Sequence, residues 1–202
     1  YNIPLVEDAA ESLGSLYHKK HTGTIGKLSA LSFNGNKIIT TGGGGMILTN
    51  DEQLAKKAKY ITTSAKIPHR WEFKHDEIGY NYRLPNLNAA LGVAQMEVLP
   101  EYLKNKRDIA KQYQEWGQQN GMQFVKERPN TKVNYWLNPV TMQDRKQRDQ
   151  FLEYTNNRNI MTRPAWTPMH KLEINKDCQH GDMTNTEWLA DRLINVPSSV
   201  KL

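Results

Sequence analysis

Lys37 stands between the polar turn Asn34-Gly35-Asn36 and four consecutive glycines, Gly42 to Gly45, in the stretch SFNGNKIITTGGGGM. A primary amine placed there is either an ordinary surface charge or a nucleophile held in a dry site. Along the chain the nearest carboxylates are Glu11 upstream and Asp51 downstream, so no sequence neighbour neutralises it. Two further polar groups sit at the ends of short apolar runs. Asp8 follows Ile3-Pro4-Leu5-Val6 and Glu7, and Ser32 follows Ala30-Leu31. A carboxylate at the end of a strand, facing a crevice, is where open α/β sheets place their ligands. Taken singly, Asp8 reads as a helix N-cap, Ser32 as a strand-end hydroxyl, the glycines as a hairpin and Lys37 as a surface lysine. The glycines are not a Walker phosphate loop, because GK[ST] is missing. Together, an amine, a carboxylate and a hydroxyl at neighbouring strand ends make a set that can do chemistry.

The elements that position this set follow from the apolar pattern. Ile3 to Val6 reads as a buried strand closed by Glu7-Asp8, running into a small-residue helical turn at Ala9 to Ser12. Gly14 to Gly26 is turn-rich. Ala30 to Phe33 and Met46 to Thr49 read as second and third strands. Asn50-Asp51 caps a helix running through Tyr60, since a short acceptor satisfies free backbone N–H groups. Residues 61 to 86 are irregular and polar, with Pro68 and Pro85 as breakers, which suits a long functional loop. Leu91, Ala94, Leu99, Leu103 and Ile109 recur at helical spacing and predict a helix from Leu87 to about Trp116, with Pro100 kinking or dividing it. Beyond Gly121 strands are expected at Met122 to Val125, Tyr135 to Val140 and Ile160 to Arg163, and helices at Arg148 to Asn156 and Glu187 to Leu193. That mixture suggests a smaller α+β lobe over 96–202, after the larger domain at 1–95.

The composition sets the class. With 202 residues, 38% hydrophobic and 24% charged, the chain can build a substantial globular core. A net charge of +6 raises a nucleic-acid reading, but the basic residues are scattered, with only short pairs such as Lys19-Lys20 and Lys56-Lys57. Diffuse positive charge is usually a solvated surface, and it also suits a polyanionic small substrate. No RNA- or DNA-binding motif supports the nucleic-acid alternative. The single cysteine, Cys178, excludes an internal disulfide and a cysteine-built metal site, which fits a reducing, cytoplasmic setting. No apolar run approaches the roughly 20 residues of a membrane span. The opening on a core-like strand without Met reads as the C-terminal portion of a longer protein.

Strand-Glu-Asp-Ala-Ala, then Ser-Phe-x-x-x-Lys, then a glycine-rich turn, closely resembles the DegT/DnrJ/StrS family of sugar aminotransferases. The resemblance continues through GYNYRLPNLNAALGVAQ at 79–95 and MTRPAWTPMH at 161–170 and covers essentially the whole chain. It implies an α/β fold, the fold-type I scaffold of pyridoxal 5′-phosphate (PLP) enzymes, with the C-terminal part of the large domain and a small α+β domain. The chain is most similar to the branch that makes 4-amino sugars for bacillosamine and legionaminic acid.

By that resemblance Lys37 holds PLP as a Schiff base and Asp8 partners its pyridine nitrogen, while PLP serves as the electron sink. A nucleophilic lysine must be neutral, and weak hydration and a nearby cation both favour the neutral amine, so charged neighbours work against the reaction. Ser32 corresponds to the hydroxyl that bonds the cofactor phosphate, and Asn81 to a residue that reaches the phosphate from the neighbouring subunit of a homodimer. Glu11 departs from the Gln or His that many relatives carry three residues after the aspartate. A carboxylate there repels the cofactor's phenolic oxygen unless one of them is protonated. Arg163, Trp166 and His170 match a segment lining the sugar-nucleotide site; Trp166 as core and His170 as a satisfied loop histidine are the plain alternatives. His69, Arg70 and Trp71 are placed to touch the diphosphate or a neighbouring subunit. No metal is called for. The implied reaction moves an amino group, from L-glutamate, to the C4 ketone of a 4-keto-6-deoxy nucleotide sugar, UDP-linked N-acetylhexosamine first and a GDP-linked sugar next. A family dehydratase is the rival on the same scaffold, but those variants carry histidine where this chain has Lys37.

Overall fold

The computed structural model describes residues 1–201, which form two compact units. The first comprises Tyr1–Lys104 and Arg128–Trp136, the second Asn105–Glu127 and Leu137–Leu202.

The first unit is built on a three-stranded sheet. Strand β1 (Val6–Asp8) runs parallel to β4 (Leu28–Ser32), which pairs antiparallel with β5 (Gly45–Leu48). Because side chains alternate across a strand, the registers Glu7↔Ser29 and Asp8↔Ala30 give the sheet two different faces. Glu7 and Ser29 share one face and both close on the same turn. The Glu7 carboxylate accepts the N–H groups of Gly23, Ile25 and Gly26, each at 2.8 Å, and the Ser29 hydroxyl donates to the Gly23 carbonyl at 2.6 Å. Partial burial pushes the Glu7 carboxyl up, but the three backbone donors outweigh it and hold it below its usual range. Leu31 belongs to that face too, and packs with the buried Phe33, Ile39 and Leu99. Val6, Asp8, Ala30 and Ser32 alternate onto the other face.

A second small sheet orders β3 (Lys20–His21), β2 (Leu16–Tyr17) and β7 (Thr131–Lys132). Strand β7 belongs to a strap, residues 128–136, that leaves the second unit's sequence and joins the first. Helix α1 (Glu52–Thr62) is capped by Asp51, whose side chain accepts from the amides of Gln53 and Leu54. Helix α2 (Asn86–Gln119) supplies residues to both units.

The second unit has a four-stranded antiparallel sheet ordered β6 (Gln123–Phe124), β8 (Asn138–Thr141), β10 (Leu193–Val196) and β9 (Arg163–Pro164). Val140 and Ile194 pair across the sheet and are fully buried, with Met142 and Val196 beside them. Phe151 and Leu152 of α3 (Arg145–Asn156) pack against that core, and α4 (Thr184–Ala190) precedes β10.

Three sequence expectations are corrected here. Pro100 does not divide the long helix, which runs unbroken from Asn86 to Gln119. The opening strand is shifted: Val6 to Asp8 form it, not Ile3 to Val6. Ala9 to Ser12 form a turn, closed by the Ser12 amide donating to the Ala9 carbonyl at 3.1 Å, rather than a helix. Buried Ala9 is held instead by its amide donating to the Ala30 carbonyl, which continues the β1–β4 pairing.

Candidate active site

Asp8 ends β1 and Ser32 ends β4, so both lie at the C-terminal edge of the parallel pair. Asp8 is opposite Ala30, and Ser32 lies two residues further on, about 7 Å along the same face. The Asp8 Oδ1 accepts the Ala10 amide at 3.1 Å, and the Ser32 Oγ accepts the Asn34 amide at 3.3 Å. These are local turn contacts that fix each side chain's direction while leaving it exposed or half-buried.

The loop that carries Lys37 returns to the same edge. Its two ends close on Phe33, whose amide donates to the Gly44 carbonyl at 2.9 Å and whose carbonyl accepts the Thr41 amide at 3.0 Å. Ile39 and Thr41 are each 2% exposed, so the loop is anchored in the core rather than draped over it. Helix α2 grips it as well, through Gln95 Oε1 accepting the Thr40 amide and Asn88 Nδ2 donating to the Thr41 carbonyl. Gly44 has φ +97°, and an added Cβ would meet Leu84 at 2.7 Å, so a side chain there fits neither the backbone nor the space.

Lys37 does not stand among uncharged groups, which corrects the sequence expectation. Its amine is ion-paired with Glu11 and lies 4.6 Å from the Trp136 ring centroid, with its side chain 12% exposed. Glu11 is 26 residues away along the chain, and the turn after β1 brings it across. The strap completes the arrangement. Trp136 Nε1 donates to the Asn36 carbonyl at 2.7 Å, and the Trp136 amide donates to Asn134 Oδ1 at 3.0 Å. Asn134 Nδ2 donates to the carbonyls of Glu11 and Leu13, and its amide to Ser15 Oγ. Sequence reasoning passed over Asn134 and Trp136. A lone asparagine among Val133, Tyr135 and Trp136 was the available signal, since a polar side chain in an apolar run needs buried partners.

Asn81 is bridged by its backbone to Thr63, and its exposed side chain meets no partner among the described residues. Tyr80 and Tyr82 donate to the carbonyls of Ile61 and Thr62, which pins this part of the loop to the end of α1. A cleft of about 890 Å³ lies beside the glycine loop, lined by Gly43, Gly44, Arg83 and Asn88 among others. Asp8, Ser32 and Lys37 stand outside its lining. His69 accepts the Trp71 and Glu72 amides, and Trp71 is strongly exposed.

Arg163, Trp166 and His170 all belong to the second unit. Arg163 opens β9 and is exposed, and Trp166 is 71% exposed, so it is not core. His170 Nε2 is 2.9 Å from Glu187 Oε1, and Lys171 is 3.3 Å from the same oxygen. Those two partners, His170 first, hold the Glu187 carboxyl below its ordinary range. No cluster of three or more His, Cys, Asp or Glu suited to a metal ion occurs among the described residues.

A profile of the DegT/DnrJ/EryC1/StrS aminotransferase family matches residues 1–202. The chain belongs to that family. It is 42% identical over 171 residues to EpsN of Bacillus subtilis (strain 168), provisionally named a pyridoxal phosphate-dependent aminotransferase. That match covers 84% of this chain and 44% of EpsN. It is 36% identical over 199 residues to the GDP-perosamine synthase of Escherichia coli O157:H7, covering 98% of this chain and 53% of that protein. The aminotransferase TlmJ from Streptoalloteichus hindustanus superimposes with a TM-score of 0.90 at 26% identity, over 98% of this chain and 53% of TlmJ. The expected α/β, fold-type I architecture holds over the part of it that this chain represents. The chain spans about half the length of the relatives it matches.

The donor set fits PLP. A carboxylate suits a ring nitrogen, a hydroxyl a phosphate and a shielded amine an aldehyde carbon, and the fold brings Asp8, Ser32 and the loop that carries Lys37 to one sheet edge.

Proposed function

We propose that the protein is a PLP-dependent aminotransferase that moves an amino group from L-glutamate to the C4 ketone of a 4-keto-6-deoxy nucleotide sugar. The observation that carries this reading is the convergence of Asp8, Ser32 and the Lys37 loop on one strand-end edge. Bound PLP supplies an aldehyde and an electron sink. Asp8 holds a positive charge at the ring nitrogen, Ser32 holds the phosphate, and Lys37 holds the aldehyde carbon. Once free, the Lys37 Nζ can carry a proton between the substrate carbon and the aldehyde-derived carbon. Its 12% exposure keeps bulk water from competing for that proton.

Family membership supports aminotransfer, and the match to a GDP-perosamine synthase supports a nucleotide-linked sugar. UDP-linked N-acetylhexosamine and a GDP-linked sugar are the two substrate arms. Arg163, Trp166 and His170 are the proposed sugar-nucleotide contacts. We place the enzyme in the cytoplasm as a homodimer, with Asn81 reaching the phosphate of the partner's site. No helix among the described residues is long and apolar enough to cross a membrane.

The test is transfer of label. The whole protein with PLP and ¹⁵N-glutamate is given UDP- and GDP-linked 4-keto-6-deoxy sugars, and the product is read by NMR. Nitrogen-15 on C4 supports the reading and selects the nucleotide. A deoxygenated product without nitrogen-15 indicates the dehydratase, and no reaction with either sugar overturns the substrate class.

A further inference from the structure

Four residues close a ring of contacts around the lysine amine. Glu11 is ion-paired with Lys37, and Lys37 lies 4.6 Å from the Trp136 ring centroid. The Trp136 amide donates to Asn134 Oδ1 at 3.0 Å, and Asn134 Nδ2 donates to the Glu11 carbonyl at 2.7 Å. Trp136 is also fixed through Asn36, the residue before Lys37. Asn134 is 3% exposed, so the ring rests on a buried hydrogen-bonded hub rather than on loose surface side chains. The roles assigned to Asp8, Ser32 and Lys37 make no use of Glu11, Trp136 or Asn134.

We propose that Glu11 and Trp136, held by Asn134, form a socket that receives the Lys37 ammonium whenever its nitrogen is not bonded to carbon. The proposal rests on the reading of Lys37 as the cofactor-bearing lysine. When the donor's nitrogen replaces Lys37 on the aldehyde-derived carbon, the bond from that carbon to Lys37 breaks and the bond to the donor forms. Lys37 leaves as a neutral amine. It becomes an ammonium by taking the proton from the substrate carbon; bound PLP would supply the sink for the electron pair left behind. A carboxylate on one side and an aromatic face on the other both attract the ammonium. The socket therefore keeps the proton and its carrier beside the reacting edge instead of releasing a flexible side chain to water. Glu11 and Trp136 are positioning residues in this scheme: they act through Lys37.

Pulsed acetylation of the whole protein, read by peptide mass spectrometry with exposed Lys104 as internal reference, tests this directly. The enzyme is compared loaded with pyridoxal phosphate and loaded with pyridoxamine phosphate. Pyridoxal phosphate should protect Lys37; if it does not, the site reading falls and takes the socket with it. In the pyridoxamine form, Glu11→Gln and Trp136→Leu should each acetylate Lys37 about 3-fold faster than wild type, because each removes one group that holds the amine in the socket and away from the reagent. Lys104 should be unaffected, and Glu11→Asp should restore a rate near wild type. The Glu11 side chain is 42% exposed, so its isosteric amide variant does not threaten folding, and Trp136→Tyr stands in if the leucine variant fails to fold. Protection by pyridoxal phosphate together with an unchanged Lys37 rate in either Glu11→Gln or the folded Trp136 variant overturns the socket and leaves the site reading intact.

Discussion

The side-chain amide of Asn134 donates to the main-chain carbonyl of Glu11 at 2.7 Å, across 123 residues of sequence. This one contact joins the strap to the turn that follows β1, and with it sets where Trp136 stands over Lys37.

Asn134→Ala should therefore be among the more damaging substitutions in the chain. It leaves the Glu11 and Leu13 carbonyls and the Trp136 amide without their partner. An expected loss of about 2–3 kcal/mol of stability follows from unsatisfied buried groups. Urea denaturation of wild type and variant checks it; a change below about 0.5 kcal/mol would show that the strap is not held this way.

Lys106 makes a separate prediction from a different part of the chain. Its residue is 5% exposed, its amine donates to the Ser198 carbonyl, and desolvation by burial lowers its pKa to about 8. The unfolded chain keeps its lysine proton up to about pH 10.4. Between those values the unfolded state binds one more proton than the folded state, so stability rises with pH, by up to about 1.4 kcal/mol per unit. Denaturation curves at pH 8 and pH 10 should show that rise in wild type and lose it in Lys106→Met.

Asp8→Asn should keep the fold, since Asp8 is exposed and its Oδ1 contact to the Ala10 amide can be kept by the amide oxygen. A neutral amide does not hold a charge on a ring nitrogen. The half-reaction with glutamate should slow by about 10²-fold or more, equivalent to about 3 kcal/mol of transition-state stabilisation. Stopped-flow spectroscopy checks this, and a near wild-type rate would remove Asp8 from its role.

Much of the scaffold was legible because its signals are local. Asp51 announced α1 by its capping chemistry, and Leu99 and Ile109 announced α2 by their spacing. Strand β10 was not legible: Leu193 to Val196 follow α4 closely, and their apolar run extends the helical pattern until Ile194 is seen pairing with Val140. The hairpin of β2 and β3 turns on His18 and Lys19, which have positive φ without the glycine or asparagine that normally marks such a turn. The residue types of the site were legible as chemistry, but the neighbour of Lys37 was not. Glu11 and Trp136 reach it only through the β1 turn and the strap, and no spacing rule foretells either.

Asn81 gives a prediction for the assembly. Its side chain and that of Arg83 are exposed, in a loop pinned to α1 by backbone hydrogen bonds and by the Lys57–Glu77 and Tyr60–Asp76 side-chain contacts. If they serve a neighbouring subunit's site, mixing inactive Lys37→Ala with inactive Asn81→Ala subunits should restore activity. One heterodimer site then carries both defects and the other carries neither, following twofold symmetry. Subunit exchange without any return of activity would show that the sites are not shared.

The central claim is that Lys37 is the residue that bears the cofactor, and reduction followed by peptide mapping tests it most directly. The whole protein is loaded with PLP, treated with borohydride, digested, and searched by mass spectrometry for a pyridoxyl-modified lysine. The account predicts the modification on Lys37, visible-range absorbance before reduction, and loss of both in Lys37→Ala and in Lys37→Arg, whose guanidinium stays protonated. A modification carried by any other lysine, with Lys37 recovered unmodified, would contradict it.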